Sequence, residues 1–271
     1  MAELADAYGS GPYGVTLGGS NPLVSIFFNP DNTKTLPKTL PQQDPEFVQR
    51  TFSSISKRYD FANHLLSGGM DFLWRARVAG LVAEQKPDRI LDLATGSGDL
   101  AIDLIKACPR AHVTGADFCL PMLEEARRKG VPNLVHADAL ALPFEDGSFD
   151  AVTVAFGLRN MASWPGAVKE MGRVLREGGL LVVLDFSLPD PPLLRWGYRQ
   201  YLHHILPMVA GWTTGKPEAY AYLGESIEAF PRGASMNALI DACGLESNPP
   251  RQMCFGVVTL YSALKNSKRA K

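Results

Sequence analysis

Two kinds of apolar run alternate along most of this chain. Short blocks that are nearly continuous in apolar residues lie at Ile90–Leu93, His112–Asp117, Asn133–Asp138, Ser148–Phe156 and Leu180–Phe186. Between them, apolar positions recur at helical spacing: Leu100, Leu104 and Ile105, then Met122, Leu123 and Ala126, then Ala167 to Leu175, where Gly178-Gly179 is expected to stop the helix. Blocks of the first kind read as strands buried on both faces, and strict β/α alternation predicts a doubly wound, mostly parallel sheet. After a helical segment at Ala234–Cys243, two more strands around Met253 and Val257–Leu264 bring the expected total to seven. Their connection is too short for a crossover, so this pair should be antiparallel.

Two helical regions break the alternation. Phe47, Val48, Phe52 and Ile55, then Leu65 and Leu66, then Phe72 to Val82 within Asp71–Gln85 predict a three-helix cap before the first strand. Residues 188–232 carry Leu194, Tyr198, Tyr201, Leu202 and Ile205 at helical spacing, followed by Trp212, Tyr220 and Tyr222. So many aromatics outside the sheet pattern predict a lid inserted before the last helix and strands. Residues 1–43, rich in Gly, Pro, Asn, Thr and Ser, read as an irregular extension, 44–265 as one domain, and 266–271 as a basic tail.

The first strand runs through Asp92 into Ala94-Thr95-Gly96-Ser97-Gly98-Asp99. Glycines spaced this way, between a strand and a helix, let the backbone take positive φ and let a ligand approach the main chain. Gly96-x-Gly98-x-x-Ala101, with Asp117 downstream, also satisfies the dinucleotide pattern, so an NAD-dependent oxidoreductase stays open at this point. Asp92 favours S-adenosylmethionine, because it can meet that cofactor's cationic methionine end. Asp99 disfavours a pyrophosphate, which would need the helix N-terminus to itself. A binding module without catalysis is the third reading.

Ligands of such sheets bind beyond the carboxyl ends of the strands. Asp117, closing the second strand, suits the ribose hydroxyls, with Phe118 and Met122 beyond it. Asp138 and Ala139 suit the adenine edge, and Phe156 closes the fourth strand. Any one of these acids could instead be a helix cap.

Composition narrows the rest. A net charge of −1 gives no footprint for nucleic acid. The four cysteines form no C-x-x-C pair, and no metal site is expected. No apolar run reaches the ~18 residues that span a bilayer, and no basic segment precedes an apolar one at the start. A cytoplasmic protein is expected, with peripheral contact at the inner membrane surface and homo-oligomer formation left open.

Longer motifs carry a resemblance. Tyr59-Asp60-Phe61-Ala62-Asn63-His64-Leu65-Leu66-Ser67, Phe156-Gly157-Leu158-Arg159-Asn160, Arg173-Val174-Leu175-Arg176-Glu177-Gly178-Gly179 and Asp185-Phe186-Ser187 resemble the ubiquinone/menaquinone biosynthesis C-methyltransferase family. The resemblance implies a Rossmann-like class I methyltransferase fold, S-adenosylmethionine as donor and a prenylated hydroquinone as acceptor. Positions matching Thr95, Asp117, Asp138 and Ala139 line the family's cofactor site, and the arginine matching Arg159 has been suggested as catalytic. Arg159, a cation directly beyond the fourth strand, is expected to face the cleft, with a surface salt bridge as the alternative; for the implied reaction it would stabilise a phenolate, with Asn160 beside it and His203 or His204 as a proton route. Tyr59, Asn63, Trp196 and Tyr201 are expected at the acceptor. Asp71 stands where many members carry histidine, and Asp185 where glutamate is usual. Both departures lean toward a menaquinone rather than a ubiquinone precursor.

Overall fold

The computed structural model describes residues 67–206, 208 and 217–266. The first two helices expected in the cap, with Tyr59 and Asn63, lie outside these residues, as does the extension at 1–43. The third cap helix is α1, Met70–Glu84. Then come β1 (Arg89–Leu93), α2 (Asp99–Ala107), β2 (His112–Asp117), α3 (Leu120–Arg128), β3 (Leu134–His136) and β4 (Phe149–Ala155). A 3-10 turn at Leu158–Asn160 leads to α4 (Trp164–Val174) and β5 (Leu175–Phe186). The lid region supplies α5 (Pro192–Gln200), a π turn (Tyr201–Ile205) and α6 (Pro217–Ala229). The chain continues through α7 (Ala234–Ala242), β6 (Glu246–Ser247), β7 (Arg251–Met253) and β8 (Val258–Leu264).

Among the described residues eight strands rather than seven form one sheet, in the order β3-β2-β1-β4-β5-β8-β6, with β7 also paired to β8. The first five are parallel, and β8 runs antiparallel to β5, β6 and β7. The extra strand arises because β6 and β7 each pair with a separate stretch of β8, at Ala263–Leu264 and Val258–Leu260.

Both faces are covered, which is why the strands read as apolar runs. Leu91, Leu93, Val152, Val154, Leu181 and Val183 pack on one face against α4 and α7, through Met171 and Ile240 among others. Their neighbours Ile90, Ala151, Val182 and Leu184 point the other way, toward Val78 and Val82 of α1 and Leu100 and Leu104 of α2. A five-residue strand with both faces buried leaves no polar alternation to read.

Gly178-Gly179 does not end a helix. α4 stops at Val174 and β5 begins at once, with Leu175 paired to Phe149, after which the partners shift to Leu180 and Ala151. The extra residues form a bulge. Gly178, at φ 74°, donates to the Lys265 carbonyl, whose Nζ returns to the Leu175 carbonyl at 2.6 Å.

α1 is tied to α2 by charge. Arg75 Nη1 donates to Asp71 at 2.5 Å and its Nε to Asp103 at 3.1 Å. Asp71 is therefore the partner of a buried arginine rather than a stand-in for a histidine base.

Candidate functional site

The chain leaves β1 toward β2 and β3 and returns to β4 on the other side, so the carboxyl ends of β1 and β4 flank the switch in strand order. A cavity opens there. Its wall is built from Ala94 and Gly96 after β1, Asp117 to Cys119 and Met122 after β2, Ala137 to Leu140 after β3, and Ala155 to Gly157 with Asn160 to Ala162 after β4. Of the residues expected around the cofactor, Ala94, Gly96, Asp117, Phe118, Met122, Asp138, Ala139 and Phe156 line it, and so does Asn160. Cys119, Leu140, Met161 and Ala162 were not foreseen. They are single apolar side chains in connections, where no periodicity marks them.

Asp117 joins the glycine turn to the next crossover. Its Oδ2 accepts the Gly96 N–H and its Oδ1 the Cys119 N–H, both at 2.8 Å. Burial raises its pKa, opposed by those backbone donors. Each carboxylate oxygen has two lone-pair directions, so both bonds leave capacity for a ligand hydroxyl. Asp138 is exposed and holds its own turn through the Leu140 N–H at 2.9 Å.

Three residues expected to touch the cofactor do not line the cavity. Asp92 is 1% exposed and lies beneath the turn, where its oxygens accept the Thr95 and Thr153 hydroxyls at 2.7 and 2.8 Å. Burial pushes its pKa up to about 6, against the pull of those hydroxyls. It is part of the floor, and Thr95 is its buried partner. Gly98, at φ 86°, is required by packing: a Cβ there would lie 2.7 Å from Val131 and 2.9 Å from Ala126. This glycine lets α2 and α3 approach each other, and it does not line the cavity.

Arg159 corrects the expectation that it faces the cleft. It is 6% exposed, and its Nη1 donates to Asp185 Oδ1 at 2.7 Å and to the Phe156 carbonyl at 2.5 Å. The 3-10 turn directs its side chain back toward the end of β5. Burial raises the Asp185 pKa while the guanidinium opposes it. Phe156, on the cavity wall, packs tilted against Phe186 with ring centroids 4.6 Å apart, and Trp74 of α1 meets both rings at 5.9 and 6.3 Å.

His203 and His204 are exposed on the π turn and are not cavity-lining; His203 Nε2 meets Glu228 at 3.2 Å. Trp196 on α5 is 63% exposed, while Tyr201 stacks with Tyr198 at 6.1 Å beside a small core of Leu188, Leu202, Leu206 and Ile227. Trp212 and the side chains of Tyr220 and Tyr222 lie outside the described residues.

The donor set decides between nucleotides. Among the described residues no cavity-lining side chain is cationic, and carboxylates occupy one rim. The α2 N-terminus, which a pyrophosphate would need, carries Asp99 bonded to Lys129 Nζ at 2.6 Å. Carboxylates and apolar walls suit an adenosyl group, and Asp99 at the helix N-terminus disfavours a pyrophosphate there. No group of three or more potential metal ligands occurs among the described residues, and none of their helices is long and apolar enough to cross a membrane.

Comparison with known proteins follows the same line. Residues 40–265 match the ubiE/COQ5 methyltransferase family. A demethylmenaquinone methyltransferase of Thermus thermophilus is 49% identical over 217 residues, covering 78% of this chain and 97% of the relative. One of Roseiflexus castenholzii is 37% identical, covering 86% and 99%. Among solved structures, a SAM-dependent methyltransferase from Thermotoga maritima superposes with a TM-score of 0.56 at 16% identity, covering 80% of this chain and 99% of that one. The [4+2]-cyclase SpnF does so at 0.52 and 17%, covering 85% and 98%. Likeness at that level gives the class I methyltransferase fold alone, since a fold hosts more than one chemistry.

Proposed function

The chain belongs to the ubiE/COQ5 methyltransferase family, and from that premise we propose that it methylates a ring carbon of demethylmenaquinol, with S-adenosylmethionine as donor. The observation that carries the reading is the cavity at the β1/β4 switch, with the acids Asp117 and Asp138 on one rim and Phe156 on the other. When bound, the donor supplies an electrophilic methyl group. The chain's own residues bind and orient. Asp117 has acceptor capacity for ribose hydroxyls, Leu93, Met122 and Leu140 exclude water, and Asn160 is the polar side chain on the β4 side.

Phe156 belongs both to this wall and to the cluster with Phe186 and Trp74, whose tilted rings offer an aromatic acceptor an apolar surface. The acceptor's prenyl tail lies along α5, where Leu193, Leu194 and Trp196 are exposed and none of the helix's residues is buried. Because Trp196 has no place in the core, its role is contact with the tail or with the membrane surface that holds it.

Product analysis with demethylmenaquinol and with the ubiquinone precursor tests the reading, and methylation of the first is expected. Asp117→Ala should weaken donor binding by about 1.5 to 3 kcal/mol, the range for hydrogen bonds to a charged group. Calorimetric titration checks this, and unchanged affinity would reduce Asp117 to a loop clamp. Trp196→Ala should raise KM for a long-tailed acceptor more than for a tailless naphthoquinol; equal effects on both would detach α5 from the tail.

A further inference from the structure

Phe156 has φ 57°, in the left-handed region that a phenylalanine holds only when its surroundings impose it. Ala94, across the switch point, has φ 52°. Gly157 lies between them, and a Cβ on it would stand 2.5 Å from that of Ala94. The two strand ends thus close on each other with strained backbone on both sides.

What imposes the conformation at Phe156 is specific. Its N–H donates to the Leu184 carbonyl at 2.7 Å, and its carbonyl accepts Arg159 Nη1 at 2.5 Å and Asn160 Nδ2 at 3.4 Å. Asp185 then anchors the arginine twice, accepting Nη1 at 2.7 Å and the Arg159 backbone N–H at 3.3 Å. The same Asp185 Oδ1 accepts the Phe186 N–H at 2.8 Å. One buried ion pair therefore fixes the backbone beneath both packed rings, Phe156 and Phe186.

We infer that Arg159 and Asp185 are positioning residues, which hold the left-handed backbone of Phe156 and through it the β4 wall of the cavity. The arginine acts on a neutral carbonyl of its own chain rather than on charge in the acceptor. Both bonds leave one nitrogen, Nη1, whose two N–H groups are held in the guanidinium plane in fixed directions, which the freely rotating ammonium of a lysine does not provide.

Glycine populates the left-handed region freely, so it removes the need for a clamp. The test is a double-mutant cycle between Arg159→Gln and Phe156→Gly, with Asp185→Asn run in parallel. Arg159→Gln alone should lower kcat roughly tenfold, the scale of one strained residue released, and weaken S-adenosylmethionine binding in calorimetry as well. In the Phe156→Gly chain the same substitution should change both by less than about twofold. The full effect persisting in both backgrounds, or a fall in kcat with donor affinity intact, would overturn the inference and return Arg159 to the acceptor.

The turnover readout rests on the methyltransferase reading. If the parent chain methylates neither quinol, that reading fails, and thermal melting of the four chains still decides the clamp without any ligand: coupled losses support it, additive ones refute it.

Discussion

The carboxyl ends of β1 and β5 each bury a carboxylate, and they hold it in opposite ways. Asp185, 0% exposed, faces a guanidinium and three N–H donors, counting that guanidinium. Asp92, 1% exposed, has two threonine hydroxyls. In the first, burial raises the carboxyl pKa and a cation opposes that rise, with the geometry fixed by bonds of definite direction. The second makes charge expensive, so the group titrates near neutrality. A site's floor and its wall are thus built on different electrostatic terms within one sheet.

The comparison breaks most sharply at Asp185. Asp185→Ala leaves the Arg159 cation buried without its carboxylate, and about 3 to 5 kcal/mol of stability should be lost, as when one partner of a buried pair is removed. Denaturant unfolding measures it; a loss below about 1 kcal/mol would mean the pair is hydrated.

For Asp92 the effect is smaller and depends on pH. Its folded pKa, about 6, lies above the ordinary 3.8. A raised carboxyl contributes stability that is full below about pH 4 and is lost as pH rises through 6, by about 2 to 3 kcal/mol once both states are ionised. Unfolding of the parent and of Asp92→Asn between pH 4 and 8 should show this slope in their difference, and parallel curves would refute it. The smallest expected effect sharpens the same point. Thr153→Val deletes one of the two hydroxyls, should cost about 1 to 2 kcal/mol above pH 7, and should move the Asp92 titration higher still.

The parallel half of the sheet was legible because residues such as Val152 and Leu181 lie between two helical layers, which erases polar alternation and leaves plain apolar blocks. The glycine turn and Asp117 were legible because their geometry is local. Arg159 was not, since its direction depends on Asp185, 26 residues further along and on a neighbouring strand. The start of β5 was hidden for a related reason: two glycines mark a helix end and a bulge alike, and only their backbone bonds to Lys265, just beyond β8, separate them. Among the site residues, apolar liners such as Met161 and Leu140 carry no chemical signature and become visible only once strands are placed side by side.

The place of β8 has a consequence for synthesis. Seven residues of β5, Leu180 to Phe186, pair with Val258 to Leu264, which leave the ribosome more than seventy residues later. Until then the nascent chain carries an apolar strand with one edge open, the shape that invites pairing with another chain. A chain interrupted before Val258 would hold every residue of the cavity wall and still be prone to self-association. Slowing translation across residues 190–257 should therefore lower soluble yield without altering the finished enzyme.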